Sequence, residues 1–262
     1  MAAREVASID GWISPTAEAR IPVADDGLLR GDGVFEIVRL YGGRPFTLDD
    51  HLDRLERSAA AIELPLDRAT VEREIEALLA DFGDGDAALR IVLTRGGRRI
   101  LLTEPLPPHP ESIRVAAVTY APSVILTAVK SISYAANMQA TRIAASRGAD
   151  EAVLVRPDGI VLEAPTSTVF WVSAEGGLRT PSLETGILES ITRARIGREL
   201  HVEEGAWPVE DLRGAHEAFL ASTTREVQAI LAIDGRALAE APGPRTREAA
   251  DAFGRVIGRE LA

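Results

Sequence analysis

The chain of 262 residues has no cysteine, one lysine, two methionines and four histidines. Without cysteine there is no disulfide framework, no thiolate metal site and no thiol nucleophile. The histidines stand at 51, 109, 201 and 216, with no pair at a metal-ligand spacing such as i, i+4, so no metal is expected. No apolar run approaches the roughly 20 residues that cross a bilayer, so no membrane partner is expected either. The opening MAAREVASID carries acids early and has no apolar centre, which speaks against a secretory signal and makes the cytoplasm the expected location. A net charge of -11 argues against a nucleic-acid partner, because phosphate affinity rests on clustered bases. Local arginines can still hold a small anion inside an acidic protein.

Scarcity of lysine is itself informative. Lys130, in AVKSISYAANMQA, is the only lysine in a Lys+Arg total of 29. Arginine serves wherever a positive charge alone is wanted, but only an ammonium can lose its proton when desolvated. A lone lysine therefore points to amine chemistry, such as a Schiff base with a carbonyl cofactor. The apolar stretch SVILTAV before it is expected to desolvate the amine and favour its neutral form.

Hydrophobic content of 46% fits an ordinary globular protein of one large or two moderate domains. GVFEIVRLYGGRPFTL reads as two strands around a Gly-Gly hairpin. DDHLDRLERSAAAIEL places Leu52, Leu55, Ala59 and Ile62 at helical spacing, with Asp49 or Asp50 as cap. DRATVEREIEALLADFG reads as a second helix stopped by Gly83, and AALRIVLTRGG and SIRVAAVTYAP as strands. The proline-rich RRILLTEPLPPHPE between them reads as a loop. In the second half, YAANMQATRIAASRG and ITRARIGRELH read as helices. EAVLVRPDGIVLEA reads as strand, turn and returning strand, STVFWVS extends that pattern, and EAFLASTTREVQAILAIDG reads as strand, loop, strand. Mixed strands and helices in two halves predict an α/β (α+β) protein with mixed sheets. The expected division is an N-terminal domain over 1–120, a linker over 121–129 and a C-terminal domain over 130–262 that carries Lys130. No glycine-rich dinucleotide fingerprint follows any strand.

Pyridoxal phosphate is the commonest carbonyl partner of such a lysine, and it makes two further demands. Its phosphate wants backbone N–H groups, hydroxyls and an arginine, best at a helix start. Its ring nitrogen wants a carboxylate. LESITRARI puts Ile191 and Thr192 at a helix start, LASTTREV offers Ser222, Thr223 and Thr224, and Glu163 ends the apolar GIVLEA. Each feature alone has an ordinary reading: Thr192 as a helix cap, the triplet as a loop, Glu163 as a carboxylate in water.

Taken in order and spacing, VKSISYAANMQA, VLEAPTSTVFWV, LESITRARI and FLASTTREV resemble the class IV (fold type IV) pyridoxal-phosphate enzymes. RGDGVFEIVRLYGGRPFTLDDHLDRLERSA resembles them too. The resemblance implies a two-domain fold type IV enzyme with pyridoxal 5'-phosphate as cofactor, acting as a homodimer. It implies that Lys130 is the Schiff-base lysine and proton carrier, that Glu163 pairs with the ring nitrogen and that Arg54 binds the phosphate. Ile191, Thr192, Ser222 and Thr223 would add phosphate contacts, and Leu188 would pack on the ring. Ser190 stands where the family usually has glycine.

GDGVFEIVRLY resembles the D-amino-acid transaminase pattern, while KSISYAANM and VLEAPTSTV also resemble aminodeoxychorismate lyases. The expected activity is transfer of an amino group between a D-amino acid or (R)-amine and a 2-oxo acid. The alternatives are 4-amino-4-deoxychorismate lyase, which eliminates pyruvate, and branched-chain transaminase. Phe35, Arg39, Arg95, Arg98 and Thr224 are the candidate substrate-side residues. The competing reading of a different class is a binding module that kept the fold without the catalysis.

Overall fold

A computed structural model describes residues 5–262; residues 1–4, the start of the stretch read above for a secretory signal, lie outside it. The first sheet comprises β1 (Val6–Ile9), β2 (Trp12–Pro15), β3 (Gly33–Tyr41), β4 (Arg44–Pro45), β5 (Ala87–Thr94) and β6 (Arg99–Glu104). Every pairing in it is antiparallel, in the order β2-β1-β6-β5-β3-β4. With it go α1 (Asp26–Arg30), α2 (Leu48–Ala61) and α3 (Arg68–Phe82). Gly42 and Gly43, with φ of 53° and 77°, make the tight turn between β3 and β4 that the sequence announced. The core joins Val34, Val38 and Leu40 of β3 to Leu52, Leu55 and Ala59 of α2. One face of β3 is thus committed to α2, as period-2 alternation requires.

Two local expectations differ. Thr47 precedes α2 in the left-handed region at φ 56°, with no side-chain cap, and Asp49 and Asp50 sit in the first turn where they favour the helix dipole. RILLTE is not a loop. It forms β6, because β1 and β5 offer it hydrogen-bonding partners on both sides.

The second sheet is mixed. It is built from β7 (Ser112–Thr119), β8 (Glu151–Val155), β9 (Thr168–Val172), β10 (Leu178–Pro181), β11 (Glu203–Gly205), β12 (Glu217–Ser222), β13 (Glu226–Ile233) and β14 (Arg236–Ala237). Their order is β11-β10-β9-β12-β13-β7-β8, with β14 beside β13. The helices of this unit are α4 (Ala135–Ser146), α5 (Ile191–Glu199), α6 (Val209–Arg213) and α7 (Pro244–Glu260). All five residues of β9 are buried, as expected of a strand covered on both faces. The returning segment after the Pro-Asp-Gly turn pairs only partly: Leu162 N donates to Leu154 O and Leu154 N to Glu163 O, both at near 3 Å (2.9 and 2.8 Å).

The boundaries depart from the expected ones. One unit runs up to Pro107 and takes back Val129–Tyr134; the other holds Pro108–Ala128 and Ala135–Glu260. β7 falls in the second unit because it pairs in parallel with both β13 and β8. Lys130 falls in the first, not at the head of the second, because its segment docks on the edge of β3. Phe35 N donates to Lys130 O at 2.9 Å, Ile132 N to Gly33 O at 3.0 Å, and Ser131 bridges Val34. Gly33 permits that approach: a Cβ there would lie 2.3 Å from Leu93 O and 2.9 Å from Ile132 Cδ1.

Candidate active site

In the first unit, the helical period of α2 puts His51, Arg54 and Ser58 on one face. Directly beneath is Glu36, on the α2-facing side of β3. Glu36 and His51 are wholly buried, and Arg54 is 5% exposed. Arg54 donates through Nε and Nη2 to the two oxygens of Glu36, each at 2.7 Å, a forked pairing that fixes the plane of the guanidinium. His51 Nδ1 lies 2.7 Å from Glu36 Oε2. The imidazole's other nitrogen, Nε2, is buried without a hydrogen-bond partner.

Burial by itself would raise the Glu36 carboxyl, but the charge and hydrogen bonds of Arg54, helped by His51, hold it at about 2. His51 moves the other way from its usual value. Burial lowers it, the bond to Glu36 opposes, and the charges of Arg54 and Lys130 add to the lowering. Lys130 N donates to Ser58 Oγ at 3.1 Å, so the same helix face that carries Arg54 also grips the lysine's backbone. The lysine is half-buried, and its Nζ sits 4.4 Å from the centroid of the Phe35 ring. Tyr134 meets that ring edge-on at 5.4 Å. The stretch expected to desolvate the lysine does not do so: Val124 and Ile125 are 85% and 87% exposed. What covers the amine is Phe35.

In the second unit, Glu163 is half-buried, where the sequence alone favoured water, and its Oε1 accepts from the amide of Leu188 at 3.2 Å. Burial, then the charge of Glu163, push the Tyr120 hydroxyl above its ordinary value. Ser190 is the N-cap of α5; its Oγ accepts from Arg193 N at 3.2 Å. A serine in place of the family glycine thus satisfies one first-turn amide, leaving those of Ile191 and Thr192 outside the helical ladder. Helix α5 packs on β12, and the last β12–β13 pair, Ser222 with Glu226, leaves Thr223, Thr224 and Arg225 as a three-residue turn.

The structure thus groups Lys130, Phe35 and Arg54 in one unit, and Glu163, Leu188, Ile191, Thr192, Ser222 and Thr223 in the other. The substrate-side arginines divide. Arg95 donates to Asp32 at 3.2 Å and to the carbonyls of Ile62 and Glu63, and Arg98 pairs with Asp10. Both guanidinium groups are committed to holding loops of their own unit. Arg39 lies over the Tyr41 ring at 4.7 Å with only a long 3.3 Å contact to Asp86, and its Nε is buried without a partner. Glu36, His51, Ser58 and Tyr120 were missed from sequence. The spacing of His51, Arg54 and Ser58 was the one available signal. Among the described residues no group of three or more His, Asp or Glu could hold a metal ion.

The first unit thus holds a primary amine and a buried arginine beside an orphaned imidazole nitrogen, and the second holds unbonded amides at a helix start and a positioned carboxylate. Each of these is a kind of partner that pyridoxal phosphate accepts.

Comparison with known proteins agrees. The family model for amino-transferase class IV matches residues 33–233. The chain is 32% identical to a D-alanine aminotransferase of Bacillus licheniformis, over 97% of each chain. It is 33% identical to a putative branched-chain-amino-acid aminotransferase of Methanocaldococcus jannaschii, over 88% of each. It is 30% identical to an aminodeoxychorismate lyase of Bacillus subtilis, over 84% of this chain and 83% of that one. A fold IV transaminase from Curtobacterium pusillum superposes with a TM-score of 0.85 at 29% identity, covering 96% of this chain and 98% of that one.

Proposed function

Because the chain belongs to the class IV aminotransferase family, which makes it a pyridoxal-phosphate enzyme, we propose that it moves an amino group from a D-amino acid or (R)-amine to a 2-oxo acid. The observation that carries this reading is the D-alanine aminotransferase match along 97% of both chains, with the sole lysine of the sequence as the available amine. A lyase outcome is the second reading, favoured by the similarity to the Bacillus subtilis enzyme. On the first reading the protein is a homodimer, as the family resemblance implies, and cytoplasmic, as expected from the sequence. No helix among the described residues is long and apolar enough to cross a membrane.

When bound, pyridoxal phosphate supplies a carbonyl for amines and a ring that withdraws electrons from the substrate Cα. The chain does the rest. Lys130 offers Nζ for covalent attachment and afterwards carries the proton to and from the substrate Cα. Glu163 holds a proton at the ring nitrogen, and its bond from Leu188 N keeps it in place. Arg54 and the amides of Ile191 and Thr192 bind the phosphate, with Ser222 and Thr223 adding hydroxyl contacts. Leu188 supports one face of the ring. Phe35, Arg39 and Thr224 are assigned to the substrate side; of the three candidate arginines, Arg39 is the one least committed to a carboxylate of its own unit.

Borohydride reduction of the cofactor-saturated enzyme, followed by peptide mapping, tests the core of this reading. A pyridoxyl label on Lys130, lost in Lys130→Arg, supports it; an unlabelled Lys130 sinks it, as does wild-type enzyme that never turns yellow. Incubation with D-alanine and 2-oxoglutarate, then with aminodeoxychorismate, separates transfer from elimination.

A further inference from the structure

Arg225 has no part in the chemistry above, yet it is the most connected residue of the Thr223–Arg225 turn. Its Nη1 donates to Gln228 Oε1 at 2.7 Å, on β13. Its Nη2 donates to Glu151 Oε2 at 2.7 Å and reaches Thr166 Oγ1 at 3.4 Å. Its backbone N–H points to Ser222 Oγ at 3.4 Å. Glu151, at the head of β8, is anchored in turn: its Oε1 accepts from Thr141 Oγ1 at 2.7 Å, on α4, and from Ala152 N at 3.0 Å. Gln228 is anchored through Nε2 to Pro110 O at 2.6 Å, just ahead of β7.

These bonds cross the sheet. β13 and β8 are not neighbours, since β7 lies between them. Arg225 therefore spans the end of an intervening strand to reach Glu151, and both side chains are largely buried, at 14% and 6% exposure. Burial pushes the Arg225 guanidinium below its ordinary value, and Glu151 opposes that shift. A buried ion pair contributes little net stability, because desolvation offsets the attraction. It does fix geometry, because a planar fork accepts only one arrangement of partners. The geometry fixed here is that of two segments the proposed site uses: the Ser222–Thr224 turn, and Thr166, three residues after Glu163.

We infer that the Arg225–Glu151 pair is a positioning device that holds the Ser222–Thr224 turn in shape to receive the cofactor's phosphate. The inference rests on the phosphate assignment proposed above. Arg225 itself touches neither cofactor nor substrate; it acts through the hydroxyl-bearing turn.

The test compares full-length enzyme stripped of cofactor and titrated with pyridoxal phosphate or with pyridoxal, which lacks the phosphate. Arg225→Met is expected to weaken pyridoxal phosphate about 10- to 100-fold, as displacement of a positioned group by an ångström does, while pyridoxal binding stays unchanged. Glu151→Gln should shift the same ratio in the same direction. Adding Thr223→Val to Arg225→Met should cause little further loss, because both remove one interaction. Arg225→Lys keeps the buried charge opposite Glu151 but not the fork, so it decides the matter should Arg225→Met fail to fold; an intermediate loss is expected. Equal weakening of both ligands, or of neither, overturns the inference. Wild-type enzyme that does not prefer pyridoxal phosphate over pyridoxal would instead overturn the phosphate site itself.

Discussion

The backbone amide of Lys130 donates to the hydroxyl of Ser58 at 3.1 Å, across 72 residues of sequence. That bond ties the lysine to the α2 face that also bears His51 and Arg54. Ser58→Ala should cost about 1 kcal/mol in urea unfolding, the usual loss for one hydrogen bond. It should also slow turnover while leaving the borohydride label on Lys130. Unchanged turnover would mean that the lysine is positioned by its pairing with β3 alone.

Glu36 carries no chemistry in this scheme but governs Arg54. Glu36→Gln leaves a buried guanidinium without its counter-charge, for a loss of about 3–5 kcal/mol. The pH dependence has a definite sign. The Glu36 carboxyl is lowered from 4.5 to about 2 in the folded protein. Its stabilisation is therefore present in full above pH 4.5 and is lost as pH falls from there towards 2. Urea midpoints measured between pH 6 and 2.5 should fall less steeply in Glu36→Gln than in wild type. Parallel curves would show that Arg54 is balanced by another group.

Glu163→Gln retains an oxygen for the Leu188 amide but cannot hold a proton at the ring nitrogen. Turnover should fall by at least ~10²-fold, in line with loss of a preorganised electrostatic contact. The mass label on Lys130 should persist. Activity near wild type would remove Glu163 from the site.

Arg95 and Arg98 were two of the candidate substrate-side residues, yet they are committed to Asp32 and Asp10. Arg95→Ala and Arg98→Ala should leave KM for donor and acceptor within about twofold, because both guanidinium groups are engaged in half-buried pairs within their own unit and none is left for substrate. Arg39→Ala should raise KM for carboxylate substrates. A larger KM effect from Arg98 than from Arg39 would reverse the assignment.

Much of this was readable in the sequence, for reasons that are local. The α2 stripe of Leu52, Leu55 and Ala59, the Gly42-Gly43 turn and the stop of α3 at Gly83 depend on neighbours a few residues away. β6 was missed because Ile100–Thr103 becomes a strand only when β1 and β5 flank it. β7 was assigned to the wrong half because its partners, β8 and β13, come later in the chain.

Lys130, the lone amine, and the ordered motifs around Glu163, Ser190 and Thr223 were determined by sequence alone, since they depend on residue identity and spacing. Whether the lysine is covered by Val124 and Ile125 or by Phe35 was decided only in three dimensions. So were the pairing of Arg54 with Glu36 and the reach of Arg225 to Glu151. The reason is physical. Covalent order dictates which groups are present, whereas burial and charge pairing arise where distant strands and helices close over one another.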